Sequence, residues 1–275
     1  MTPTRDSSVR STIRGGPELA GFMYHDVVDE PAASGFQRPG ARSYRLTAQA
    51  FSAQLDALGA GAAAPALVTS IDFAHSGRHL LLTFDDGGTS ALHAAAELQR
   101  RGWRGHFFIV TDLLGARTFL DAAGVRELRS AGHVVGSHSH THPDIFKDLT
   151  PGRMADEWRI SQDRLAQILG EPCITASVPG GDISARVLES ADAAGFRYLF
   201  TSEPWLRPRR VGGCWVLGRY SLRSGTDPAQ VLELAHFRGW SRALLVRRLK
   251  VLMRGTFPRL YRRYVRYTTQ GEPAA

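Results

Sequence analysis

Between residues 79 and 202 short, almost wholly apolar runs alternate with amphipathic stretches, and few architectures accept that pattern. HLLLTF (79–84), GHFFIV (105–110), HVVGS (133–137), CITASV (173–178) and FRYLFTS (196–202) predict strands buried on both faces. Between them TSALHAAAELQRRG (89–102), GVRELRSAG (124–132), TPGRMADEWRISQDRLAQILG (150–170) and ISARVLESADAAG (183–195) have helical spacing. In 150–170, Thr150 is placed to cap, Pro151 to occupy the first turn and Gly170 to stop the helix. The alternation predicts a parallel sheet covered by helices. Upstream, LAGFMYH (19–25) reads as a strand and 46–60 as a helix capped by Thr47. Residues 26–44, rich in Gly, Pro and Ser, predict a long loop, either functional or disordered. CWVLGRYSL (214–222) predicts one more strand.

With 275 residues, 43% of them hydrophobic, the chain has material for a sizeable core, which excludes overall disorder. Two cysteines, Cys173 and Cys214, exclude a disulfide framework and any cysteine-rich zinc module. Residues 1–18 read as a flexible polar arm without the apolar segment of a signal peptide, so the expected location is cytoplasmic. The net charge of +8 is carried by the tail: residues 237–267 hold ten basic side chains and no acid. Nucleic acid is therefore not the expected partner of the nearly neutral body. The segment 226–275 reads as a basic helical extension, on which Leu245, Leu249 and Leu252 share one face. A helix of that kind predicts binding to an anionic membrane surface, peripheral at the inner face. The competing expectation is that its apolar face packs on the body.

The polar clusters all follow predicted strands. Asp85 and Asp86 follow the first run, His138, His140 and His142 the third, and Pro179-Gly180-Gly181 the fourth. In parallel α/β folds the carboxyl ends of the strands carry the ligand site, so these clusters should converge. Two adjacent carboxylates cannot both stay ionised cheaply unless a cation lies beside them. Histidine is the commonest metal-ligating side chain, and His138 could pair on one face with either His140 or His142. Two histidines with one carboxylate leave coordination positions open, a catalytic arrangement.

Thr83-Phe84-Asp85-Asp86-Gly87, followed about fifty residues later by Gly136-Ser137-His138-Ser139-His140-Thr141-His142-Pro143, resembles the polysaccharide deacetylase family, the NodB-homology domain of carbohydrate esterase family four. The resemblance spans about residues 19–225 and implies a distorted (β/α) barrel of mostly parallel strands. It implies Asp85 as general base, and Asp86, His138 and His142 as ligands of a divalent metal, zinc first, with cobalt or nickel as alternatives. His140 stands where the family varies and is not carried over.

The third family motif, Arg-x-Pro-aromatic-Gly, is matched here by Ser177-Val178-Pro179-Gly180-Gly181, without the arginine that orients the base and without the aromatic. Phe22-Met23-Tyr24-His25-Asp26-Val27 resembles the opening strand of the permuted poly-N-acetylglucosamine deacetylase branch, which implies His25 as general acid. Leu232–His236 is the alternative source of that histidine. The implied function is metal-dependent removal of N-acetyl groups from an acetamido sugar or polysaccharide. The alternatives are hydrolysis of a small non-sugar amide on the same scaffold, or glycan binding without catalysis.

Overall fold

The computed structural model describes residues 15–256, apart from 62 and 182, together with residue 263. The expected arm, up to residue 14, and the extension beyond 256 otherwise lie outside the described residues. The strands are β1 (Glu18–Tyr24), β2 (Arg78–Phe84), β3 (His106–Ile109), β4 (Val134–Ser137), β5 (Thr175–Ser177), β6 (Tyr198–Phe200), β7 (Arg209–Val211), β8 (Cys214–Leu217) and β9 (Tyr220–Ser221). The helices are α1 (Ala48–Gly59), α2 (Ser90–Arg100), α3 (Ala122–Ser130), α4 (Pro151–Leu169), α5 (Ala185–Ala193), α6 (Pro228–Ala235) and α7 (Trp240–Thr256).

The sheet runs β7-β8-β6-β5-β4-β3-β2-β1-β9, and every pair is parallel except β7 with β8. The segment 214–222 was expected to be one strand; it is two. β8 pairs with β6 and β9 pairs with β1, with only Gly218 and Arg219 between them. One extended stretch thus bridges the first and last parallel strands and curls the sheet into a distorted barrel. This seam needs glycine. A Cβ on Gly21 would lie 2.6 Å from the Gly218 carbonyl oxygen, and one on Gly218 2.3 Å from that of Trp205.

Both faces of the sheet are buried, which is why its strands read as continuous apolar runs. Leu80 and Leu82 of β2, with Phe107 and Ile109 of β3, pack under the helices. Leu81 and Phe108 point the other way, into a smaller cluster with Phe200 and Leu217 inside the barrel. Outside, α4 begins as its sequence predicts: Thr150 Oγ1 accepts from Arg153 N–H, Pro151 opens the first turn and Gly170 closes the helix at φ +70°. Its buried stripe is Met154, Glu157, Trp158, Ser161 and Leu165. Each fully buried large apolar side chain there contributes roughly 1.5–3 kcal/mol. The cap of α5 is Ser184, whose Oγ accepts from Val187 N–H.

The register levels the carboxyl ends of the strands. Tyr24 pairs with Phe84, Ile109 with Ser137, Ser137 with Ala176 and Ser177 with Phe200. His25, Asp85, His138 and Val178 therefore all leave the sheet at one end.

Candidate active site

Period-two alternation along β2 decides where Asp85 points. Leu81 faces the barrel interior, so Thr83 and Asp85 do too. Asp86 would face outward, but it adopts φ +79° and turns back toward the mouth. Ser139 at +65° and His142 at +53° are also left-handed. These are three of the four described non-glycine residues with positive φ, and such backbone costs about 1–3 kcal/mol each. The strain is concentrated where the candidate ligands sit.

Hydrogen bonds hold the strained loop. Glu157 of α4, buried under it, accepts from the backbone N–H of His140 (2.9 Å) and Thr141 (2.7 Å) and from Thr141 Oγ1 (2.6 Å). Ser139 Oγ accepts from His142 N–H at 3.1 Å. His140 is turned away: its Nδ1 lies 3.0 Å from Thr111 Oγ1 and its Nε2 3.6 Å from Asp112 Oδ1.

Asp86, His138 and His142 come together. Asp86 Oδ1 is 3.4 Å from His138 Nε2 and 3.7 Å from His142 Nε2, and one donor atom from each residue lies within 4.8 Å of the others. His138 Nδ1 donates to the Ser177 carbonyl at 3.1 Å, which leaves Nε2 as the free lone pair aimed at the site. His142 is half-buried, with its Nδ1 buried and unpartnered, and its ring rests on Phe36, 4.9 Å between centroids. Two imidazoles and one carboxylate, already converged and oriented from outside, fit a divalent ion.

Burial opposes charge at all four groups, yet the outcomes differ. It pushes Asp86 up, but the His138 hydrogen bond, then the charges of His25 and His142, bring it below the ordinary carboxylate range. Burial likewise raises Asp85, while Arg219 foremost and then His138 bring it down on balance. His138 is lowered by burial but raised more by Asp85 and Asp86, so it sits above the usual histidine value. Burial dominates at His142 and holds it at about 4, a neutral ligand near neutrality. A divalent ion would compete with protons for His138 Nε2, so affinity for it should rise with pH.

The arginine missing from the third motif enters from the barrel seam. Arg219, fully buried, follows Leu217 into the interior by the same alternation. Nη1 donates to Asp85 Oδ1 (2.7 Å) and Thr83 Oγ1 (3.0 Å). Nη2 donates to Asp85 Oδ2 (2.9 Å) and Ser177 Oγ (2.7 Å), and Nε to the Thr201 carbonyl (3.0 Å). All five guanidinium N–H groups are satisfied and two grip the carboxylate in parallel. Sequence reasoning placed no role on Arg219 or Glu157.

His25 lines the same cleft as Asp85 and Asp86, with its ring 4.5 Å from that of Tyr44 and its Nδ1 buried without a partner. The 26–44 segment is ordered, and Asp26 anchors it. Its carboxylate accepts from Ser34 Oγ (2.6 Å), Gly35 N–H (2.9 Å) and Ser90 Oγ (2.7 Å). The segment contributes Phe36, Arg38 and Tyr44 to the wall of a cleft of about 1030 Å³. His236, the alternative histidine, follows the end of α6 and is not among the residues lining the cleft.

Residues 74–199 match the polysaccharide deacetylase family. A peptidoglycan-N-acetylglucosamine deacetylase of Listeria monocytogenes is 26% identical over 60% of this chain, which spans about a third (34%) of that relative's length. An uncharacterised 30.6 kDa protein of Geobacillus stearothermophilus is 26% identical over 46% of this chain and 47% of its own. Among solved structures, IcaB from Ammonifex degensii has a TM-score of 0.66 at 23% identity, covering 81% of this chain and 98% of its own. A polysaccharide deacetylase from Bacillus cereus also gives 0.66, at 19% identity over 79% and 69%. These structures share the fold. The matched region, residues 74–199, holds the two aspartates and two histidines that converge at the strand ends, and it is similar to the polysaccharide deacetylase family.

Proposed function

We propose that the protein is a metal-dependent hydrolase that removes N-acetyl groups from an acetamido sugar or polysaccharide. The observation that carries this reading is the juxtaposition of the Asp86–His138–His142 set with Asp85, a separate carboxylate locked by Arg219. The size of the cleft, about 1030 Å³, favours a glycan over a small amide.

Asp86, His138 and His142 would hold the ion, for which the donor set favours zinc. A divalent ion there supplies Lewis acidity, polarising an acetyl carbonyl and making water more acidic. Asp85 is the base that takes the proton from the attacking water. It stays ionised through the working pH range because Arg219 and His138 outweigh its burial. Arg219 fixes the plane of that carboxylate, so its remaining lone pair has one direction to face. Gly181 N–H is committed to the Val178 carbonyl, which leaves Gly180, at φ +65° on the cleft wall, as the donor we assign to the acetyl oxygen. His25 gives a proton to the departing amine.

The deciding experiment combines metal analysis with acetate release from acetylated hexosamine oligomers. One bound divalent ion per chain and acetate release are expected. His138→Ala and His142→Ala should each lose metal and activity together, and in the native chain zinc affinity should climb with pH as His138 gives up its proton. Stoichiometric metal in the double variant would remove these residues from the ligand set and point to His140. His25→Ala should lower turnover by about 10²–10⁴, the range for a positioned acid, with metal content unchanged and one limb of the pH–rate profile gone. If His236→Ala does this instead, His25 is not the acid.

We also place the protein, as a proposal, at the cytoplasmic face of a membrane, through its basic C-terminal helix. Cys173 and Cys214 are both free and buried, which suits a reducing compartment. Cell fractionation with and without a salt wash tests the placement.

A further inference from the structure

Every large apolar side chain that is exposed among the described residues sits on α7. Leu245 is 59% exposed, Leu249 52% and Leu252 66%, joined by Val246 and Val251. At about 100° per residue the three leucines form one narrow stripe, bordered by Arg242 on one side and Arg248 on the other. The opposite side of the helix faces the protein. Trp240 is buried there with its Nε1 donating to the Leu234 carbonyl, and Arg247 donates to Glu203 Oε1 at 2.8 Å and to the Gly181 carbonyl at 2.7 Å. The expectation that the leucine face packs on the body is thus overturned: α7 is held by its other side and the stripe meets solvent.

Charge selects what covers such a stripe. The segment 237–267 has ten basic residues and no acid, so a second copy seated stripe to stripe would set arginine rows against each other with no acid from either segment to neutralise them. An anionic surface neutralises them instead. No described helix is long and apolar enough to cross a membrane, so α7 would lie in the interface, leucines inward and arginines reaching the headgroups. The helix is also part of the cleft: Arg242, Ala243, Val246 and Arg247 line it, whereas the three leucines do not.

We propose that α7 seats the protein on an anionic bilayer with Leu245, Leu249 and Leu252 inserted, and that its substrate is an acetamido glycan anchored in that bilayer, which reaches the cleft past the α7 rim. The seat stands on the helix alone; the substrate class rests on the de-N-acetylase reading.

The test uses the full zinc-loaded chain in co-sedimentation with phosphatidylglycerol–phosphatidylcholine vesicles and with pure phosphatidylcholine vesicles, at low and high salt. Binding is expected on the anionic vesicles, weakening with salt, and little on the neutral ones. Leu245→Glu/Leu249→Glu/Leu252→Glu should weaken anionic binding by more than about tenfold. Its melting temperature and turnover of a soluble acetylated hexosamine oligomer should be unchanged, and turnover of a long-chain alkyl acetamido glycoside held in the vesicles should collapse. Arg248→Glu, a single surface change, should weaken anionic binding in the same direction. Equal vesicle binding by native and variant chains overturns the seat. A native dimer that the triple variant splits in sedimentation velocity, without vesicle binding by either, gives the stripe to a second copy and also overturns it. Native chain that binds anionic vesicles but turns over neither substrate overturns the de-N-acetylase reading, and the substrate class with it, while the seat remains.

Discussion

Asp85→Asn is expected to lower acetate release by about 10²–10⁴ or more while leaving the divalent ion bound. The amide cannot take a proton from water, and Asp85 is not in the Asp86–His138–His142 set. A second effect comes with it. Both carboxylate oxygens accept from Arg219, and Oδ2 also accepts from Ser177 Oγ at 3.1 Å. An asparagine NH₂ on either side would face donors, and the buried guanidinium would lose its counter-charge. Removing one member of a buried pair costs about 3–5 kcal/mol, so the variant should also unfold at lower denaturant. Metal content, denaturant midpoint and acetate release, measured on one preparation, separate the effects. Metal loss comparable to that in His138→Ala would show that the roles of Asp85 and Asp86 are exchanged. Wild-type turnover in a folded Asp85→Asn chain would end its assignment as base.

Much of this site was readable because it is local. Leu80-Leu81-Leu82-Thr83-Phe84 can only be a strand buried on both sides, and whatever follows it emerges at a strand end. The same holds for His138 after Val134–Ser137. The helix caps at Thr47 and Thr150 are one-turn interactions, visible as residue types at fixed offsets. What the sequence hides is long-range. Arg219 meets Asp85 across 134 residues, from a seam whose break at Gly218 looks like the middle of a single strand. Glu157 belongs to a helix whose other charges are solvated. Only its place on the same stripe as Met154, Trp158 and Leu165 marks it as buried, and nothing in its neighbours names the His140 and Thr141 amides as its partners. The positive φ at Asp86 is equally invisible, since it is imposed by what surrounds the loop. The direction in which α7 faces is decided by Trp240 and Arg247, and the leucine stripe alone fitted a packed helix and an exposed one equally well.

Arg219→Met carries the other large expectation, because it removes the cation and leaves the burial. In the native protein burial raises Asp85 and Arg219 is the strongest of the groups that lower it, with a net value below the ordinary range. Asp85 therefore adds stability that is complete above the unfolded carboxylate value, near pH 4, and is lost as pH falls through the depressed folded value. With methionine at 219 the desolvation remains and the largest opposing charge is gone, so the folded value moves up and the stability Asp85 contributes at neutral pH shrinks. The variant should be about 3–5 kcal/mol less stable than the native chain at neutral pH and recover part of the difference toward pH 4. The acid limb of its kcat/KM profile should shift to higher pH, because a larger share of Asp85 is protonated at each pH. Arg219→Lys keeps a charge without the parallel pair of hydrogen bonds, and should fall between the two in both measurements. A structural role alone would lower stability and leave the acid limb in place. If Arg219→Met keeps native stability and an unmoved acid limb, the guanidinium neither holds the carboxylate nor sets its charge.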